Sequence, residues 1–332
     1  MAIFRHTADL PSEVQGAVVA IGNFDGVHRG HQAIIDKVGR LARELQTTCA
    51  VLTFEPHPRR FFQPDNPAFQ LTGFRLKVRL IEALGVDNLF VLPFNQAFAA
   101  LSAEDFVREV LAEGLRARHV VVGDNFAFGH KRLGNTGILE QLGQTHGFGV
   151  TAMRRVTGTR GVPYSSTGIR DYLKAGNPTG AAWLLGRYWE IEGRVQPGGK
   201  LGRKLGFPTA NIELGDSLEP AYGVYAVRAG LDRAGGTVWH PGVANLGVRP
   251  TVDGTGVLLE VHLFDMDEDL YGQHLRVALA DYLRPEWKFD DLDAMKVQMV
   301  EDARRARVIL EWEEWDSSWP AGPFMSVTPG HE

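Results

Sequence analysis

Cysteine is nearly absent from this chain. Cys49 is the only one in 332 residues, so no intrachain disulfide can form and no thiolate cluster can hold a metal. It stands in the apolar run Cys49-Ala50-Val51-Leu52, where a small core residue of a strand is expected rather than a nucleophile. Long apolar stretches are missing too. None approaches the ~20 residues that span a bilayer, and no basic N-terminal stretch precedes an apolar segment of the secretory kind. A cytoplasmic protein with no membrane partner is expected. Nor is there an excess of positive charge: 35 Lys and Arg face 40 Asp and Glu, a net charge of −5, which leaves no basic field for nucleic acid. The two common glycine-rich phosphate loops, G-x-G-x-x-G and G-x-x-x-x-G-K-[ST], do not occur.

The chain does have length and an ordinary composition. Hydrophobic residues make up 44% and charged residues 23%, enough for a normal core in two domains. The first half alternates short apolar runs (17–21, 51–54, 89–92, 120–122) with amphipathic stretches such as Ile34, Ile35, Val38, Leu41 and Leu45 at helical spacing. Ser102-Ala103-Glu104-Asp105 is a capping pattern for a helix running to about Gly114. Strand and helix alternating in this way predict a parallel α/β sheet. Beyond Gly186 the pattern changes to alternating strands between Gly- and Pro-rich turns, as in a small β-barrel or sandwich. A last helix from Asp290 or Asp291 is expected to turn Leu292, Met295, Met299, Ala303, Ala306 and Leu310 inward. The expected divisions are residues 1–184, residues 185–315 and a tail over 316–332.

The run ending at Ile21 leads into Gly22-Asn23-Phe24-Asp25-Gly26-Val27-His28-Arg29-Gly30-His31. A strand-to-helix junction offers free N–H groups and the positive helix end to an anion. His28 and His31, three apart, could both donate to phosphate oxygens, with Gly30 leaving room for a ligand between them. Two surface histidines beside a glycine turn, or a zinc pair, are the alternatives. Ser165-Ser166-Thr167-Gly168-Ile169-Arg170 heads another helix. Either serine can cap it, but Arg170 in the first turn opposes the dipole unless an anion binds there. In the second half, Gly202-Arg203-Lys204-Leu205-Gly206-Phe207-Pro208-Thr209-Ala210-Asn211 could be a plain hairpin turn. Thr209 and Asn211, however, present neutral oxygens on one side of a strand, a donor set suited to Mg²⁺ shared with nucleotide phosphates.

The first string resembles the nucleotidyltransferase signature of bacterial FAD synthetases. Thr53-Phe54-Glu55-Pro56-His57-Pro58, the stretch Val122 to Gly129 and Ser165 to Arg170 follow in family order. Gly206-Phe207-Pro208-Thr209-Ala210-Asn211 resembles the riboflavin kinase signature. The stretches Gly242 to Thr251, Leu259 to Asp265 and Tyr282 to Glu286 extend it, while Gly186-Arg187-Tyr188-Trp189 departs from the family's Gly-Arg-Pro-Tyr opening. The resemblance implies a Rossmann-like FMN adenylyltransferase domain followed by a β-barrel riboflavin kinase domain. Riboflavin, FMN and FAD are then substrates and products, ATP is co-substrate and Mg²⁺ the metal. It makes His28, His31 and Glu260 catalytic, Glu260 as the base for the riboflavin hydroxyl, with Asp265 and Asp281 as fallbacks. It gives ATP or its phosphates to Gly22, Asn23, Phe24, Gly30, Ser165, Ser166, Thr167 and Arg170. In the kinase half the same role falls to Gly202, Lys204, Gly206, Thr209 and Asn211, the last two also holding Mg²⁺. The flavin pockets take His57, Asp124, Asn125 and Arg284. An aminoacyl-tRNA synthetase would share His-x-Gly-His, but no Lys-Met-Ser-Lys-Ser-like loop or basic extension is present. A flavin- or nucleotide-binding regulator without catalysis is the other alternative.

Overall fold

The structure, a computed structural model, describes residues 1–158, 161–197, 202, 205–251 and 254–312. Lys204 and the expected tail over 316–332 lie outside them. The chain divides into two compact units. Among the described residues, one holds 1–67 and 77–164; the other holds 68–76 and those from 165 to 312.

In the first unit the apolar runs become strands. They are β1 (Ala2–Phe4), β2 (Val18–Ile21), β3 (Cys49–Glu55), β4 (Asn88–Pro93) and β5 (His119–Gly123), followed by a short β6 (Ala127–Phe128) and β7 (Gly134–Asn135), then β8 (Gly149–Met153). Six of them form one sheet in the order β1-β4-β3-β2-β5-β8, every pair parallel. Its central strands are buried along nearly their whole length, as sheets with two covered faces require. Helices α1 (Arg29–Glu44), α2 (Pro58–Phe62), α3 (Phe74–Ala83), α4 (Gln96–Ala99), α5 (Ala103–Asp105) and α6 (Thr136–His146) connect the strands. On α1, Ile35, Val38 and Ala42 are buried, while the expected Leu45 is the C-cap and is exposed. Ser102 does cap α5, accepting from the Asp105 N–H. Residues Phe106–Gly114 then wind as a π-helix, which no spacing rule shows.

The second unit begins with α7 (Ser166–Lys174) and α8 (Pro178–Leu185). Then come β9 (Trp189–Arg194), β10 (Ala210–Glu213), β11 (Gly223–Arg233), β12 (Gly236–Thr251), β13 (Gly254–Leu263) and β14 (His274–Arg284). They form an antiparallel sheet in the order β10-β13-β12-β11-β14-β9. Beyond β9, the Gln196 N–H donates to Asn211 O at 2.8 Å, so the two edge strands meet and the sheet curls toward a barrel. The last helix, α9 (Leu292–Trp312), lays Ala306 and Leu310 on Val224, Ala226, Phe264 and Leu283. Met295, Met299 and Ala303 are half-buried, but the expected inward Leu292 is 54% exposed. It begins the helix before the packing against the sheet is established. Tyr225 and Phe264 are barrel core.

Candidate active sites

Parallel strands all open their C-terminal ends on one edge. Strands β3, β2 and β5 are neighbours there, and the strings containing His57, His28 and Asp124 follow those three ends. Between β2 and β5 the connections diverge in opposite directions, the place where α/β sheets bind ligands. His28 is the N-cap of α1: its Nδ1 accepts the His31 N–H at 3.3 Å. That fixes the tautomer and leaves Nε2–H as its only neutral donor. Its ring stacks on that of His31, with centroids 3.7 Å apart and planes at 18°. The pair therefore lies on one side of the helix start, as a three-residue spacing allows. It is a cap and a first-turn residue held face to face.

Gly30 stands between the two histidines in the sequence. A Cβ there would come within 3.1 Å of the His28 ring and 3.2 Å of the Tyr164 carbonyl, so the glycine makes room for His28 itself. Phe24 is 1% exposed and its ring lies 5.1 Å from that of His31. It is a floor beneath the histidine, with Gly22 packed against it. The carbonyl of Asn23 accepts from Thr53 Oγ1 at 3.3 Å, tying this loop to β3. His57 caps α2, its Nδ1 accepting from the Arg59 N–H at 3.0 Å. Asp124 and Asn125 are exposed past the end of β5, with Arg155 3.8 Å from the Asp124 carboxylate. No third His, Cys or carboxylate joins the histidine pair as a metal cluster among the described residues.

Ser165 to Arg170 lie in the second unit. Ser165 caps α7, its Oγ accepting from the Gly168 N–H at 3.1 Å. Ser166 and Thr167 form the first turn. Arg170 Nε donates to Phe69 O at 2.9 Å and the guanidinium rests over the Phe69 ring. A carbonyl and an aromatic face thus relieve the dipole conflict, which by itself no longer calls for an anion.

In the barrel the candidate groups are set by register. Asn211 on β10 and Asn245 on β12 both stand opposite Glu260 on β13. Leu259 and Val261 are buried in the core, so Glu260 points to the other face, as its alternation predicts. Asn211 is 5% exposed, and its Oδ1 accepts no hydrogen bond among the described residues. A buried, unsatisfied oxygen of this kind is costly, and a cation would satisfy it. Thr209 lines a cleft with Val195, Pro208, Leu270 and Tyr271. The Gly202 carbonyl accepts from the Phe207 N–H at 2.8 Å, closing the preceding loop. Gly206 takes φ +86° in that loop, a left-handed backbone that favours glycine.

Glu260 is not a lone solvent-facing carboxylate. Arg249 Nε donates to its Oε2 at 2.9 Å and Arg249 Nη2 to Glu286 Oε1 at 2.8 Å. Burial lowers the pKa of Arg249, but Glu260 and Glu286 outweigh it and hold the group above its ordinary value. Asp265 pairs with Arg307 at 2.8 Å, which keeps its carboxyl below the usual range. Asp281 Oδ1 accepts from the next backbone N–H at 2.8 Å. Neither fallback shares the row of Asn211. Arg284 is tied to the last helix. Its guanidinium is 8% exposed and grips Asp302 of α9 through Nε and Nη2, at 2.7–3.0 Å. It fastens the helix to the barrel.

The FAD synthetase family matches residues 10–168 and the riboflavin kinase family residues 185–310. A bifunctional riboflavin kinase/FMN adenylyltransferase of Escherichia coli K12 is 42% identical over 294 residues, covering 88% of this chain and 92% of that protein. One of Pseudomonas fluorescens is 43% identical, covering 93% and 98%. The chain belongs to this bifunctional family. A solved structure described as a macrolide-efflux protein from Streptococcus pneumoniae has the same fold: TM-score 0.80, 29% identity, 94% of this chain and 99% of that one. That description stays with that protein. Among the described residues here, no helix is long and apolar enough to cross a membrane.

Three features of the two halves escaped the sequence. In the FAD synthetase half, Lys77 is 3% exposed, its Nζ 4.0 Å from Glu55. Burial lowers its pKa, while Glu55 and Asp25 oppose that shift. Its signal was a lysine three and four residues before Leu80 and Ile81, on the apolar stripe of α3. In the same half, Phe54, Phe61, Phe62, Phe94 and Phe98 pack ring to ring, with Phe62 64% exposed. In the kinase half, the Asn245–Glu286–Arg249–Glu260 network depends on strand register and left no local trace.

Proposed function

We propose that this chain phosphorylates riboflavin to FMN in residues 185–315 and adenylylates FMN to FAD, releasing pyrophosphate, in residues 1–184. Both reactions draw on ATP. The observation that carries the kinase reading is the row of Asn211 and Glu260, a buried open oxygen beside a carboxylate. Glu260 takes the proton of the riboflavin 5′-hydroxyl as that oxygen attacks the γ-phosphorus. The hydroxyl becomes acidic only as transfer proceeds, so a carboxylate is base enough. Asn211 and Thr209 would hold Mg²⁺, which would neutralise phosphate charge. Gly202, Lys204 and Gly206 are assigned to the nucleotide phosphates.

For adenylylation the FMN phosphate is already ionised and attacks the α-phosphorus without a general base. What the protein adds is charge stabilisation on the triphosphate and the leaving pyrophosphate. His28 and His31 donate to those oxygens, His28 through the Nε2–H that its cap leaves as donor. Ser165, Ser166, Thr167 and Arg170 are assigned to ATP phosphates on the family string. The exposed aromatic cluster around Phe62 offers a flat apolar surface of the kind on which an isoalloxazine ring stacks. His57, Asp124 and Asn125 lie past strand ends of the same sheet.

The test is direct. Purified protein receives riboflavin, ATP and Mg²⁺, and FMN and FAD are resolved by chromatography over time. FMN should rise first and FAD follow. Formation of neither product would favour a regulator that binds flavin without turning it over.

A further inference from the structure

A glutamate on an antiparallel strand has three side-chain torsions to fix before it can serve as a base. The Glu260 side chain is 30% exposed, so core packing does not fix them. Hydrogen bonding does. Arg249 Nε holds Oε2 at 2.9 Å, and Oε1 accepts no hydrogen bond among the described residues. Arg249 is itself held at its other two nitrogens: Nη1 donates to Val248 O at 3.0 Å and Nη2 to Glu286 Oε1 at 2.8 Å. The same Glu286 oxygen accepts from Asn245 Nδ2 at 3.1 Å, and Asn245 stands directly opposite Glu260. The chain of contacts therefore begins and ends on one cross-strand pair. Gly247 completes it, because a Cβ at that position would run into the Glu286 carboxylate.

We propose that Glu286 is a positioning residue for riboflavin phosphorylation: through Arg249 it fixes the Glu260 carboxylate with one oxygen committed and the other open to the substrate hydroxyl. An ordinary exposed ion pair adds only ~0–1 kcal/mol to stability and needs no such closure. A base held to its line of approach is different, since a misplacement of about 1 Å costs up to ~100-fold in rate. The proposal rests on Glu260 being the base, and the experiment separates the two.

Full-length protein carrying Glu286→Gln, Glu260→Gln or both is assayed for riboflavin phosphorylation under single and multiple turnover. Glu286→Gln is expected to lower kcat about tenfold, with KM for riboflavin and ATP within about twofold. Conversion of supplied FMN to FAD by the same protein should not change. In the Glu260→Gln background the same substitution should alter the residual rate by less than about twofold, because a residue acting through Glu260 has nothing left to act on. A merely structural defect would instead lower the rate by the same factor in both backgrounds, and that result overturns the proposal. So does a fully active Glu286→Gln beside a defective Glu260→Gln, which leaves the base assignment standing. If Glu260→Gln itself phosphorylates riboflavin normally, the base assignment fails and the positioning role falls with it.

Discussion

The two halves of the molecule assemble their candidate sites by different means. In the parallel sheet, chemistry-bearing residues sit in the loops after β2, β3 and β5. Each loop is one continuous string, and the topology alone brings the strings to one edge. In the barrel they sit within strands, and a neighbour is whatever the ladder places opposite. Asn211, Glu260 and Asn245 are separated by 49 and 15 residues yet form one row. A parallel site is written in motifs. An antiparallel one is written in register.

This contrast can be broken at several points, beginning with the largest effect. Asp302→Ala would leave the Arg284 guanidinium buried without its carboxylate. Stranding one partner of such a pair costs ~3–5 kcal/mol, and the barrel should unfold at correspondingly lower denaturant. Every tryptophan lies between positions 183 and 319, so intrinsic fluorescence follows the second half of the chain. An unchanged midpoint would mean that this ion pair contributes nothing to the barrel.

Reciprocal losses of activity come next. His31→Ala should slow FAD formation from FMN by ~100-fold or more, the usual cost of one charge-stabilising donor, and spare riboflavin phosphorylation. Asn211→Ala should do the reverse with a loss of similar order. Loss of both activities in either folded variant would end the division into two sites.

The smallest effect sharpens the contrast at the sheet itself. Burial, reinforced by Asp87, pushes the Cys49 thiol up to about 12. The thiolate is the reactive form, so iodoacetamide at pH 8 should leave Cys49 unmodified in native protein and label it after denaturation, read by intact mass. Labelling of the native protein would show that the central sheet opens.

Legibility in the sequence followed the same divide. The parallel strands, the α1 stripe and the Ser102 cap could be read because each is a local pattern. Glu260 could be placed on the outer face because alternation is local as well. Arg249 and Glu286 could not be joined to it, since register is a property of pairs of strands. Other surroundings are equally out of reach of a local pattern. At Gly30 the His28 ring and the Tyr164 carbonyl crowd the place a Cβ would take. Arg170 meets Phe69, 101 residues away, through its Nε. Arg284 meets Asp302, on a helix 18 residues further along the chain.

The short segment 68–76, which belongs to the second unit, bears on modularity. Trp189 Nε1 donates to Leu71 O at 2.7 Å, and the Leu76 N–H donates to Glu192 Oε1 at 3.0 Å. A fragment excised at the motif boundary, residues 185–315, would leave both β9 side chains without these partners and expose the buried indole N–H. The two activities follow one another along the sequence, but the chain is interleaved rather than strung as beads. A single cut between them therefore removes part of the kinase half's own scaffold.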